Sequence, residues 1–104
     1  MNQTNDRLAV IEAALEKTAR QCLRLTADPR LSPKQHWAMA KWIFGCLNQR
    51  FTLRSRVAKR GMGEVTKVMK FIDRAFNAVL KITQDLEIDD RESQTLEGDN
   101  EVET

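Results

Sequence analysis

The chain has 104 residues, which suits a single domain, and its formal net charge is +2. It has no apolar run of about 20 residues and no secretory signal, so we expect a cytoplasmic protein that makes no membrane contact. One histidine, no tyrosine and scattered carboxylates leave few groups for catalysis, and neither a phosphate-binding glycine loop nor a nucleophile motif occurs. We therefore predict a protein that is not an enzyme and that uses no cofactor, metal or small-molecule substrate.

The charge is distributed unevenly along the chain. Residues 1–84 carry a balance of +10, whereas residues 85–104 carry a balance of −8. The segment 88–104 contains only three aliphatic residues, too few to offset the entropy lost on ordering. We predict a helical bundle domain over residues 1–87, followed by a disordered acidic tail over residues 88–104.

Local sequence patterns predict the first helix and the start of the second. A first helix is predicted from about Asp6 to Thr26, because apolar residues recur there with the 3.6-residue period of an amphipathic helix. The sequence Asp28-Pro29 ends it, since proline disfavours helical backbone in the preceding residue. The sequence Ser32-Pro33-Lys34-Gln35 has the pattern of a capping box and places the next helix start at Pro33.

This second helix is apolar on two sides. One side carries Trp37, Ala40, Phe44, Leu47 and Phe51, and the other carries Met39, Trp42, Cys46 and Leu53. Either the other helices cover both sides, or one side meets a second protein. We interpret Met39, Trp42, Cys46 and Leu53 as a dimer or partner interface, with burial under the first or third helix as the equal alternative. The mixed pattern after Leu47 also allows a break near residues 48–52.

The sequence Gly61-Met62-Gly63 marks a turn, and the last helix is predicted from about Glu64 to Leu86. The fold class is therefore all-α, a small antiparallel bundle of three or four helices that homodimerisation would complete. Cys22 and Cys46 lie within apolar segments, and we interpret both as core residues rather than as metal ligands or reactive thiols.

The stretch from Pro29 to Gly63 contains no acid and eight Lys or Arg residues. Such a segment favours a polyanionic partner, because the guanidinium group of arginine matches phosphate oxygens. Our leading hypothesis is a non-catalytic accessory or regulatory protein that binds nucleic acid, mainly at the phosphate backbone. The residues expected to make these contacts are Arg50, Arg54, Arg56, Lys59, Arg60, Lys67, Lys70 and Arg74.

The alternative hypothesis is a protein-binding inhibitor or adaptor. It would dock on a larger protein machine, one that handles nucleic acid, through its basic and apolar helix faces. An acidic protein surface would then take the place of nucleic acid as the partner. A third interpretation is that the basic run is only a solvated helix face.

Overall fold

The structure, a computed structural model, describes the backbone of residues 3–103 and the side chains of residues 3–88. Three helices follow one another: α1 (Gln3–Thr26), α2 (Pro33–Arg60) and α3 (Gly63–Glu103). Every pair of helices is in contact, and no strand occurs among residues 3–103. The prediction of an all-α bundle is thus confirmed, with three helices rather than four.

The connection between α1 and α2 is held by local hydrogen bonds. The carboxylate of Asp28 accepts hydrogen bonds from the side chain and the backbone N–H of Arg30, which lower the pKa of Asp28 to about 2. The predicted capping box is confirmed. Ser32 Oγ accepts from the N–H of Gln35 at 3.1 Å, and Gln35 Oε1 accepts from the N–H of Ser32 at 2.9 Å.

Helix α2 runs unbroken through residues 48–52, where the sequence allowed an interruption. Within it, the hydroxyl of Thr52 donates to the carbonyl of Asn48 at 2.9 Å, so its hydrogen-bonding capacity is used inside the helix. The helix ends at Gly61, which has a φ of 87° and donates its N–H to the carbonyl of Val57 at 2.8 Å. Glycine suits this position because a Cβ would strain the backbone.

Helix α3 continues to Glu103, past the end predicted at Leu86. Proline, the strongest helix breaker, does not occur after Pro33, and Glu, a good helix former, is the most frequent residue between positions 87 and 103. The side chains after Ile88 lie outside the described residues. The disordered acidic tail over residues 88–104 therefore stays a prediction.

The core consists of two clusters joined by Trp42. One lies towards the α2–α3 turn, and its buried members are Leu8, Ile11, Leu15, Ala19, Cys46, Leu53, Val65, Val68 and Ala75. The other lies towards the α1–α2 connection, and its buried members are Cys22, Leu31, Met39, Val79, Ile82 and Leu86. The half-buried ring of Trp42 packs against both clusters, so it links the two halves of the bundle.

Trp42 also contacts Phe71 of α3, with ring centroids 5.2 Å apart and planes inclined by 56°. This tilted arrangement is one that aromatic pairs favour. Phe71 can approach α2 closely because residue 45 is glycine: a Cβ there would lie 2.5 Å from Phe71 Cζ. The close packing of α2 and α3 thus depends on a missing side chain.

Candidate protein-docking surface

The residues predicted to bind nucleic acid do not form one continuous patch. Arg50 and Arg54 lie on the side of α2 that faces α1, whereas Arg56 and Arg60 lie on the side that faces the start of α3. The ion pairs of these residues with carboxylates determine how much positive charge is left for a partner.

Arg54 is held by Glu12 of α1. Its Nε donates to both carboxylate oxygens at 3.2 Å, and its Nη2 donates to Oε1 at 2.9 Å. These hydrogen bonds and the charge of Glu12 raise the pKa of Arg54. Arg50 approaches Glu16 at 3.7 Å, one turn further along α1. Two acids of α1 therefore offset the arginines on this side of α2.

Glu64 draws together three other members of the predicted set. Its carboxylate accepts from Arg56 Nε at 3.0 Å and from Lys67 Nζ at 2.9 Å, and Arg60 Nη1 lies 3.7 Å away. Only 3% of Glu64 is exposed, and the hydrogen bonds from Lys67 and Arg56 lower its pKa. Sequence analysis did not predict this cluster, although Glu64 and Lys67 have the i, i+3 spacing of a helix ion pair.

Lys59, Lys70 and Arg74 complete the predicted set. Each is exposed, and none has an ion pair with a carboxylate in the described part of the chain. Five of the eight predicted cations are therefore already near a carboxylate, and three are open to a partner. The role of all eight in nucleic-acid binding stays a prediction.

The predicted dimer or partner interface is placed differently by the structure. Met39, Cys46 and Leu53 are fully buried, and Trp42 is half-buried against the two core clusters. Assigning these four residues to an intermolecular interface was therefore wrong. The reason is that α1 and α3 together cover this side of α2, which was the alternative considered from the sequence.

The opposite side of α2 is the one left uncovered. We call it the aromatic face, formed by Trp37, Ala40, Phe44, Leu47 and Phe51. Trp37 is 72% exposed, Phe44 73% and Phe51 90%. Large aromatic side chains normally lose most of their exposed area on folding, so a row of three on one helix is unusual for a surface without a partner. Sequence periodicity identified this row but not which of the two rows would be covered.

Cations border the aromatic face along one edge. We call Lys34, Lys41 and Lys59 the lysine rim, since they lie within about 60° of Trp37 around the helix axis. All three are exposed and have no ion pair among residues 3–88. Lys34 lines a shallow cleft together with Asp85 of α3. The rim thus offers unpaired positive charge beside apolar surface.

A second and weaker apolar row lies on α3. Met69, Phe76 and Leu80 are each about half-exposed, at 54%, 43% and 42%. They continue the apolar side of α3 that packs in the bundle, so part of each side chain is already covered. The aromatic face of α2 is the more exposed of the two rows.

The two cysteines and the single histidine are the other side chains that the sequence analysis considered for chemistry. Cys22 and Cys46 are fully buried, and burial raises the pKa of Cys46 to about 11, which disfavours its reactive thiolate. His36 is exposed in the first turn of α2. Residues 3–88 contain no cluster of three or more side chains suited to a metal ion. None of the helices is both long enough and apolar enough to cross a membrane, as far as the described residues go.

Comparison of the chain with protein-family models, with curated proteins and with solved structures gives no match. The arrangement of side chains on the bundle surface is thus what indicates a function.

Proposed function

We propose that this protein is a non-catalytic adaptor or regulatory protein that docks on another protein through the aromatic face of α2. The observation that carries the proposal is the exposure of Trp37, Phe44 and Phe51 in one row. Contiguous apolar surface with a polar border is typical of protein interaction sites. Aromatic residues are also the side chains that contribute most to binding energy in such sites.

The ion pairs of the predicted basic patch also favour this function. A phosphate at Arg54 or Arg56 would compete with the carboxylates of Glu12 and Glu64, which these arginines contact at hydrogen-bond distance. Protein docking on the aromatic face leaves these pairs in place. Apolar contact also needs no counter-ion release, so it is less sensitive to salt than phosphate binding.

Nucleic-acid binding is the second candidate, and one observation favours it. Phe51 lines an open cleft together with Lys59, and with Asn48 and Ser55, which offer hydrogen bonds. A base stacked on Phe51 with its phosphate near Lys59 would fit the way proteins bind single strands. Lys70 and Arg74 would extend the charged surface on α3.

A cross-linking experiment separates the two candidates. A photo-reactive amino acid is placed at Phe51 of the full chain and, as a matched control, at Lys17, an exposed position on α1. After irradiation in native cell extract, we expect one nuclease-resistant protein adduct from position 51 and none from position 17. An adduct that nuclease destroys, or equal labelling from both positions, would contradict the proposal.

Two sets of substitutions then test which side chains hold the partner. The double substitution Phe44→Ser and Phe51→Ser should abolish recovery of the partner protein, the one that cross-links to position 51. Recovery is measured by affinity capture on the full chain. Lys70→Gln with Arg74→Gln, on α3 and outside the lysine rim, should leave recovery largely unchanged. Loss of recovery in the α3 charge variant would instead favour nucleic-acid binding, because phosphate contact depends on these cations.

A further inference from the structure

We infer that the docking partner presents an acidic amphipathic helix, which lies along α2 and packs against the aromatic face. This inference rests on the proposed function and specifies its partner. It is carried by three observations: the spacing of the aromatic face, the absence of acids on α2 and the unpaired lysine rim.

The spacing of the aromatic face is that of a helix-pairing seam. Trp37, Phe44 and Phe51 are seven residues apart, and Ala40 and Leu47 each follow an aromatic residue by three. This is the a/d pattern with which one α-helix packs on another. Residues seven apart drift by only about 20° around the axis, so the row stays nearly straight over about 21 Å. A partner helix of about two heptads spans that length.

The charges on α2 indicate the chemistry of that helix. No Asp or Glu occurs between Pro33 and Arg60, so α2 itself supplies no counter-charge along the seam. Glu12 and Glu16 of α1 neutralise the arginine side, whereas the lysine rim has no ion pair with any described acid. Residues beside the seam select the partner helix through their charges. Acidic residues beside the partner's apolar row would complete the interface.

A second copy of the chain fits this face poorly. If two copies of α2 paired in antiparallel orientation, their lysine rims would meet each other. If they paired in parallel orientation, Lys41 of one copy would face His36 of the other. In neither orientation would α2 supply an acidic residue to pair with these cations. Like charges beside a helix seam disfavour pairing. The aromatic face is therefore matched to a different chain.

The chain's own acidic segment is also a poor occupant. It has the right sign of charge, but residues 88–104 hold only three aliphatic side chains and no aromatic one. These are too few to cover the five positions of the aromatic face.

The exposed apolar area of the aromatic face is on the order of 500 Å². This is less than the roughly 800 Å² per partner of a standard interface, so we expect micromolar affinity.

Two designed helical peptides of about three heptads provide the test, one heptad longer than the row because short isolated helices are only marginally stable. Both carry the same leucine and isoleucine seam, and they differ only in having Glu or Lys beside it. We expect the Glu peptide to bind the full chain with micromolar Kd and the Lys peptide to bind at least tenfold more weakly. Binding is followed by the fluorescence of Trp37 in a Trp42→Phe background and by calorimetry.

Matched variants assign the binding to the face and its rim. Phe44→Asp should abolish binding of both peptides, whereas Lys34→Glu with Lys41→Glu should reverse the preference between them. These positions are exposed, so circular dichroism should show an unchanged helix content. Equal binding of the two peptides by the wild-type chain would overturn the inference. So would a dimer in sedimentation experiments that Phe44→Asp dissociates, because the occupant would then be a second copy.

Failure of this inference can be distinguished from failure of the proposed function. If neither peptide binds while position 51 still cross-links to one protein, the docking function holds and the acidic helix is rejected. If position 51 yields no protein adduct, the docking function itself is rejected.

Discussion

Helix α2 carries two rows of apolar side chains with the same seven-residue spacing, and the bundle covers only one. Met39, Cys46 and Leu53 are fully buried, whereas Phe44 and Phe51 are largely exposed. Apart from the half-buried Trp42, the covered row holds side chains without rings, whereas the exposed row holds three aromatic rings. Three helices packed 8–10 Å apart leave a narrow core, which Met, Cys and Leu fill more easily than a column of aromatic rings. The aromatic side chains of the other row stay exposed on the surface of the bundle.

The cations of the molecule divide in a similar way. Arg54 and Arg56 contact carboxylates of α1 and α3 and help to connect the helices. Lys34 and Lys41, which flank the exposed row, have no such contact among the described residues. The uncovered side of α2 thus combines exposed apolar groups with cations that have no ion pair among the described residues, and the predictions below test how the two sides of the helix differ.

The largest expected difference is in stability. Leu53→Ala should lower the free energy of unfolding by about 2–5 kcal/mol, because it leaves a cavity in the core. Phe51→Ala, two residues away on the exposed row, should change it by no more than about 0.5 kcal/mol. Urea denaturation of both variants measures the contrast. Similar losses in the two variants would show that the exposed row is covered in solution.

The second prediction concerns the contact of Gly45 with Phe71. Gly45→Ala should lower stability by about 1 kcal/mol, because displacing the Phe71 ring costs about 1–3 kcal/mol and the gain in helix propensity offsets about 1 kcal/mol. Gly63→Ala is the matched control, since nothing lies within 4 Å of a Cβ there. Thermal unfolding compares the two. A gain of stability in Gly45→Ala would place the Phe71 ring away from α2.

The third prediction uses the lowered pKa of Glu64. A carboxyl whose pKa is lower in the folded state stabilises the fold above its ordinary value of 4.5, and this stabilisation is lost as the pH falls through the lower, folded value. Glu64→Gln should therefore be less stable than the wild type at neutral pH, with the difference shrinking below pH 4.5. Denaturation curves measured at several pH values test this.

Two lysine variants show which cations Glu64 requires. Lys67→Gln should reduce the same pH dependence, because Lys67 makes the hydrogen bond that lowers the pKa most. Lys41→Gln, on the lysine rim, should leave the pH profile unchanged. An equal effect of both lysines would mean that long-range charge, rather than direct contact, stabilises Glu64.

The smallest predicted effect is a difference in fluorescence emission and quenching between the two tryptophans. In Trp42→Phe the remaining Trp37 should emit at long wavelength and be readily quenched by iodide, because 72% of it is exposed. In Trp37→Phe the remaining Trp42 should emit at shorter wavelength and resist quenching, since it packs between the two core clusters. Identical quenching of the two single-tryptophan variants would contradict the assignment of the rows.

Local chemistry in the sequence was sufficient for much of the fold. The start of α2 at Pro33 and the turn at Gly61 could be predicted because capping boxes and glycine caps satisfy backbone groups within a few residues. The helical period of the apolar residues likewise predicted the all-α class. Of the surface, the sequence indicated the acid-free stretch and the two apolar rows of α2, because both are patterns along one helix.

Tertiary structure alone decided which row of α2 is buried and which cations are neutralised. Leu53 and Phe51 are both apolar, and only the positions of α1 and α3 make one a core residue and leave the other exposed. The pairing of Arg54 with Glu12 joins residues 42 apart in the chain, and no local pattern encodes such a contact. Periodicity specifies the faces of a helix, but how the helices pack determines which face remains available to a partner.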